Sequence, residues 1–211
     1  MKIWWRGHSS FIIQAEGKKI VTDPFEAKVG YPLKPLKADI VTVSHDHWDH
    51  NAVDTIQGRP HIVRNIGNTD IGGIKLQGIA SFHDHKGGRE RGPNIIFKIT
   101  AEGLALVHLG DLGHPLDRAQ VEQIGQVDIL LVPVGGTYTI DAGEAAALVV
   151  ALRPKIVIPM HFSTPHVSFT LAPLERFTSY YDQVIKKPYL ETGAEDIGSQ
   201  TRVIVLDYLS S

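Results

Sequence analysis

The stretch Ala38-Asp39-Ile40-Val41-Thr42-Val43-Ser44-His45-Asp46-His47-Trp48-Asp49-His50 decides how this chain is read. Residues 38–44 form a β-branched, largely apolar run that reads as a buried strand. It passes directly into a His-x-His-x-Asp-His hexapeptide. In extended backbone, residues two apart point the same way, so His45 and His47 reach toward one ion. The chain then turns, and Asp49 and His50 project toward a second ion beside the first. Imidazole and carboxylate ligands suit Zn, Mn or Fe. Burying so many titratable groups at a strand end is costly without a partner. Composition alone would produce the pattern about 0.002 times per chain, so chance is a poor account of it.

The flanking sequence is rich in strands. Lys2–Arg6, Ser10–Ala15 and Lys19–Thr22 are short β-runs separated by turn residues such as Glu16-Gly17. Further strands are expected over 61–66, 74–82, 94–100, Leu104–Leu109, Val127–Val134, Lys155–Met160 and Arg202–Tyr208. Asn51–Gln57, Asp117–Ile124 and Leu174–Tyr181 read as short helices. Asp141–Leu152 is the best helix, with Asp141 and Glu144 forming a capping-box-like start and Pro154 beyond its end. Strands followed by alternating strands and helices predict an α/β fold of two sheets with helices outside, in a single domain spanning 1–211.

The chain has 211 residues, no cysteine and a formal net charge of −2. Disulfides and thiolate ligands are therefore excluded, and any metal is held by nitrogen and oxygen. The weak net charge argues against a nucleic-acid surface. The N-terminal residues lack the pattern of a signal peptide, and no apolar run approaches the roughly 20 residues of a membrane span. The expectation is a cytoplasmic protein acting on a small molecule, with no membrane partner and an oligomeric state the sequence leaves open.

Five more segments carry a family resemblance. Gly7-His8-Ser9-Ser10, Thr22-Asp23-Pro24-Phe25, Ala80-Ser81-Phe82-His83, His108-Leu109-Gly110-Asp111 and Ile158-Pro159-Met160-His161-Phe162 fall in order around the hexapeptide. Together they resemble the metallo-β-lactamase superfamily, in its small metal-dependent hydrolase branch that includes L-ascorbate-6-phosphate lactonase. The resemblance implies a four-layer αβ/βα sandwich with a dinuclear site at one edge. It implies that His45, His47 and His83 bind the first metal, that Asp49, His50 and His161 bind the second, and that Asp111 bridges both. His85 rivals His83, because His83-Asp84-His85 offers two imidazoles at the same spacing. Asp23 is read either as a carboxylate orienting a ligand imidazole or as a turn residue before Pro24. His8 is read either as a residue at the site edge or as a strand-end histidine, and His108 supports either the site or the core. His61, His114 and His166 are read as ordinary loop histidines.

Two ions about 3.5–4 Å apart hold a water and lower its pKa toward neutral. Hydrolysis by the resulting hydroxide, with Asp49 and His161 as catalytic groups and no covalent intermediate, is therefore expected. The cofactors would be two divalent ions, Zn or Mn, with Fe also admissible. Lys86, Arg89 and Arg91 lie in a Gly-rich loop that either recognises an anionic group or is a solvated hairpin tip. Tyr138 either contacts substrate or packs. Trp4, Trp5 and Trp48 read as core or rim packing. A nuclease or phosphodiesterase, and a non-catalytic metal or ligand sensor on the same scaffold, are the competing readings.

Overall fold

The N-terminal β-runs pair in chain order. Strands β1 (Lys2–Gly7), β2 (Ser10–Ala15) and β3 (Lys18–Thr22) form an antiparallel meander. The computed structural model describes residues 1–209. After β3 come β4 (Leu36–Lys37), β5 (Ile40–Thr42), β6 (Ile56–Gln57) and β7 (His61–Val63). Strand β5 joins β3 in parallel and β7 joins β5 in parallel, while β4 and β6 make a separate two-stranded ribbon. The next hairpins are β8 (Gly67–Ile71) with β9 (Ile74–Phe82), and β10 (Pro93–Ala101) with β11 (Leu104–His108). Then follow β12 (Ile129–Pro133), β13 (Ile156–Met160), β14 (Val184–Lys187), β15 (Leu190–Glu191) and β16 (Arg202–Leu206). The result is a six-stranded sheet, β15-β1-β2-β3-β5-β7, and an eight-stranded sheet, β14-β16-β13-β12-β11-β10-β9-β8. The expected α/β sandwich is what forms.

Between the sheets lies one large apolar cluster that includes Phe11, Ile13, Ile20, Phe97, Leu106 and Leu130, all fully buried. Each such side chain contributes roughly 1.5–3 kcal/mol. Helices α1 (Arg118–Ile124) and α2 (Ala142–Leu152) make the β11–β12 and β12–β13 crossovers. Both start in complete capping boxes, Asp117 with Gln120 and Asp141 with Glu144, so the local signal at Asp141 is honoured by the fold. The outer face of the six-stranded sheet is covered differently. A second cluster of Ile12, Val21, Val41, Val43 and Ile56 is closed by the β4–β6 ribbon residue Leu36, with Val53 and Leu209.

Two expected helices change. Asn51–Gln57 is not an α-helix: Val53–Thr55 forms a single 3-10 turn, and Ile56–Gln57 goes extended to pair with β4. Burying Ile56 in the outer cluster outweighs a weak helical preference in a β-branched segment. Helix α3 covers only Glu175–Thr178 of the expected Leu174–Tyr181, and the chain leaves it through tight turns from Phe177 and Thr178.

Topology places the site. Strands β1, β3 and β5 run the same way, as do β9, β11, β12 and β13. His8, Asp23, His45, His83, Asp111 and His161 each follow the C-terminal end of one of these strands. The carboxyl edge of a sheet is where α/β architectures gather functional groups.

Candidate metal centre

Six imidazoles converge at this edge in two groups. The ligand atoms of His45, His47 and His83 lie within 4.8 Å of one another, as do those of His8, His50 and His161. Asp111 Oδ2 joins the groups, standing 3.3 Å from His83 Nε2, 3.2 Å from His50 Nε2 and 3.2 Å from His161 Nε2. Three imidazole nitrogens from both groups thus meet one carboxylate oxygen. Asp49, half-buried, reaches the second group with Oδ2 3.3 Å from His8 Nε2 and 3.7 Å from His50 Nε2.

The donor set fits divalent metal. His45 Nε2 and His161 Nε2 are buried with no hydrogen-bond partner of good geometry, as are His83 Nδ1 and His161 Nδ1. Buried polar atoms left unpaired are rare, and a buried imidazole nitrogen without a hydrogen-bond partner is satisfied by a cation. With nitrogen and carboxylate donors and no thiolate, the set suits Zn, Mn or Fe.

Behind these side chains stands a scaffold of hydrogen bonds. Asp23 is fully buried, and its Oδ2 lies 2.9 Å from His50 Nδ1. The same oxygen accepts from Ser44 Oγ at 2.6 Å, and Ser44 Oγ lies 2.9 Å from His45 Nδ1. One carboxylate therefore orients two imidazoles, one directly and one through a hydroxyl, which leaves both Nε2 atoms facing the centre. Asn94 takes the backbone N–H of Asp111 at 3.0 Å and donates to Ser81 Oγ at 2.7 Å. Gly110 bends the chain at φ 57°, where a Cβ would stand 2.3 Å from Asn94 Oδ1 and 2.6 Å from Ser44 Cβ. His108 donates from Nε2 to the Ser9 carbonyl at 2.7 Å and accepts from Gly110 N at 3.1 Å. It supports the backbone under His8 and Asp111 and stays out of the centre.

Strain is concentrated here. His8 (φ 53°), Asp23 (φ 39°) and His161 (φ 53°) are non-glycine residues in the left-handed region. Such residues cost of order 1–3 kcal/mol each and persist where the surroundings fix them. Gly135 makes room for one of them, since a Cβ there would lie 2.1 Å from the His161 carbonyl oxygen.

Electrostatics separate the groups. Burial lowers His45 to about 2 and His8 to about 4, keeping both neutral. Burial also lowers His47 and His108. For His50 burial works downward too, but Asp111 and Asp23 win and raise it well above its ordinary value. Burial pushes Asp111 upward, yet the charges of His161 and His50 hold it well below the usual carboxylate range. Asp49 is likewise lowered, as the contact with His8 and the charge of His50 outweigh its burial. The carboxylates are ionised and ready to hold a cation.

His85 is not part of the centre. Its ring is exposed, 3.6 Å from Glu144 on α2, while His83 points inward. His114 accepts the Phe82 N–H at 3.2 Å and pins the end of β9; His166 packs on Tyr31 and Tyr208; His61 is exposed on β7. Of the candidate substrate contacts, Arg91 and Tyr138 meet at the mouth, with the guanidinium carbon 4.3 Å from the ring centroid. Lys86 instead pairs with Glu90 at 2.5 Å, and Arg89 Nε donates to the Lys86 carbonyl at 2.9 Å. Neither lines the mouth.

Sequence reasoning missed two residues of this region. Asp84 accepts the backbone N–H groups of Lys86, Gly88, Glu90 and Arg91 at 2.7–3.0 Å and folds the basic loop around itself. An Asp just before Gly87-Gly88 was the available signal. Phe169 packs near His8, His161, Trp48 and Tyr138, and nothing local in sequence marks it.

Two sheets with histidines and aspartates at their shared edge define a metallohydrolase centre. The chain matches the family described as Beta-lactamase superfamily domain over residues 2–161. It is 32% identical over 200 residues to a UPF0173 metal-dependent hydrolase of Carboxydothermus hydrogenoformans, covering 78% of this chain and 85% of that protein. It is 33% identical over 201 residues to a second such hydrolase, from Methanosarcina barkeri, covering 78% and 84%. A solved Thermotoga maritima structure, described as a Zn-dependent hydrolase of the metallo-β-lactamase superfamily, superposes with TM-score 0.82 at 39% identity, covering 98% of this chain and 99% of that one. This chain belongs to the metallo-β-lactamase superfamily and is a metal-dependent hydrolase.

Proposed function

We propose that the chain holds two divalent ions, Zn or Mn, and hydrolyses a small ester, lactone or phosphate ester that carries an anionic group. The observation that carries this reading is the position of Asp111 Oδ2, 3.2–3.3 Å from Nε2 of His83 in one nitrogen group and of His50 and His161 in the other. A carboxylate so placed suits a bridge between two ions. His45, His47 and His83 would hold one ion; His50, His161 and Asp49 would hold the other. When bound, such ions polarise a scissile carbonyl or phosphoryl oxygen and bring a water's pKa toward neutral.

The chain's own groups supply the rest. Asp49 is ionised and half-buried at the mouth, placed to accept a proton from an attacking water. His161 is buried beside Asp111, with its ring near Phe169. A cavity of about 320 Å³ opens over these residues between Trp48, Tyr138 and Phe169. Arg91 lines it and also lines an adjoining cleft of about 520 Å³ with apolar walls from Ile66, Phe82, Pro93 and Ile95. Spaces of this size suit small ligands. A guanidinium at their junction suits a carboxylate or phosphate held bidentately.

A groove lined by Lys86, Arg89 and Arg91 and leading to the centre would favour the nuclease reading. Lys86 and Arg89 are engaged within their own loop, so small substrates are favoured. No helix among the described residues is long and apolar enough to cross a membrane. The test is turnover of a panel of lactones, carboxylic esters and phosphodiesters, with and without an anionic substituent, by protein reconstituted with Zn or Mn. The expected result is metal-dependent hydrolysis favouring anionic small esters or lactones. Tight ligand binding with no turnover across the panel would contradict it and favour a sensor.

A further inference from the structure

His8 belongs to none of the three elements that supply the second ion's residues in the reading above, yet its ring nitrogen stands inside that group. The side chain is buried at 1% exposure. Its Nε2 lies 3.1 Å from His50 Nε2 and 3.3 Å from Asp49 Oδ2, and its ring centroid lies 4.5 Å from that of His161.

The 3.1 Å approach of two imidazole nitrogens has two explanations. One is a hydrogen bond between the two rings, with either one as donor. The acceptor-only carboxylate of Asp23 faces His50 Nδ1, so Nδ1 keeps its proton and Nε2 is the nitrogen left to hold metal. A hydrogen bond in either direction occupies Nε2, so it cannot persist once His50 binds an ion. The other explanation is that both nitrogens face one ion. Two donors about 2.0–2.1 Å from a common Zn stand roughly 2.8–3.4 Å apart at coordination angles near 90–109°, and the observed 3.1 Å falls inside this range. The contact to Asp49, 3.3 Å, is longer than the usual 2.7–2.9 Å of a charge-assisted hydrogen bond. It too matches two ligands of one ion better than a donor and its acceptor.

The backbone supports the second explanation. His8 and His161 both hold left-handed φ values of 53°, and His161 N donates to the His8 carbonyl at 3.3 Å. That carbonyl also accepts from Trp5 Nε1 at 2.9 Å. Two strained residues from different sheets are thus tied to each other with their rings turned to the same point. Strain held so firmly by its surroundings marks a functional position.

We infer that His8 is a direct ligand, through Nε2, of the second ion, forming a three-imidazole set with His50 and His161. This rests on the two-ion reading proposed above.

The experiment is a crystal structure of the zinc-loaded full chain with anomalous maps at the zinc edge, beside zinc titration of His8→Ala against a chromogenic chelator. Two zinc peaks are expected, with His8 Nε2 about 2.0–2.1 Å from the second. In His8→Ala the second binding step should weaken by about 100-fold or more, beyond the usual outer-shell effect of about 10–100-fold, while the first step is kept. Two peaks with His8 Nε2 more than 3 Å from both, donating to Asp49, would overturn the assignment and leave the two-ion reading standing. A single peak among His45, His47 and His83 would overturn both. Should the variant fail to fold, the distance in the unaltered protein still decides.

Discussion

Asp23 Oδ2 stands 2.9 Å from His50 Nδ1, at the bottom of a chain of contacts that also reaches His45 through Ser44. The carboxylate fixes which nitrogen of each ring faces the centre. Asp23→Asn keeps the shape but places an amide where His50 Nδ1–H needs an acceptor. Zinc affinity is expected to fall by about 10–100-fold, measured by chelator competition. Unchanged affinity would mean that Asp23 only anchors the turn after β3.

Metal uptake should release a proton. Asp111 and Asp23 overcome burial and raise His50 well above its ordinary value, so in the ion-free protein at pH 7 its ring is charged. Nε2 must lose that proton to hold an ion. His45 and His8, lowered by burial to about 2 and about 4, are already neutral and release none. Titration calorimetry in buffers of different ionisation enthalpy should show about one proton released per chain at neutral pH, beyond any from bound water. Uptake of protons would contradict the electrostatics described.

Arg91 and Lys86 sit five residues apart and should behave differently. Arg91 lines the mouth and stacks on Tyr138, whereas Lys86 pairs with Glu90 on the loop surface. Hydrogen bonds to charged groups contribute about 1.5–3 kcal/mol. Arg91→Ala should therefore raise KM for an anionic substrate by roughly 10–100-fold with kcat little changed, and Lys86→Ala should leave both within twofold. Steady-state kinetics on one substrate, with and without its anionic group, reads this directly.

The loop that carries Arg91 depends on Asp84. Its carboxyl loses some of its charge preference to partial desolvation, but backbone N–H groups, those of Arg91 and Lys86 foremost, lower it from 3.8 to about 2. A carboxylate lowered on folding contributes stability that is present above the unfolded value and lost as pH falls through the folded one. Amide protection at Lys86, Gly88, Glu90 and Arg91 should hold at pH 5 and disappear between about pH 4 and pH 2. In Asp84→Ala it should be absent at every pH by hydrogen exchange. Protection in the variant equal to that of the parent would contradict this role.

Much of the fold and the segments that bring histidines and aspartates to the sheet edge was legible in the sequence, because both signals are local. The run 38–44 and the hexapeptide need only strand alternation and a turn to be read, and Asp141 with Glu144 needs only three-residue spacing. What stayed hidden depends on long-range placement. Ile56 turns extended because a separate apolar cluster waits outside the first sheet. His8 enters the centre because the turn after β1 folds against the turn after β13, which follows it by about 150 residues. Arg91 separates from Lys86 and Arg89 because Asp84 winds the loop so that only Arg91 faces the mouth. Phe169 arrives from a segment with no periodic pattern.

The most direct test of the central claim is metal content by plasma mass spectrometry on protein purified without added metal, beside His47→Ala and Asp111→Ala. The account predicts close to two transition-metal ions per chain in the parent. His47→Ala should keep about one, and Asp111→Ala, which removes the oxygen facing both nitrogen groups, should lose most of both. A parent that stays empty after reconstitution with Zn or Mn would contradict the claim that these histidines and aspartates form a dinuclear centre.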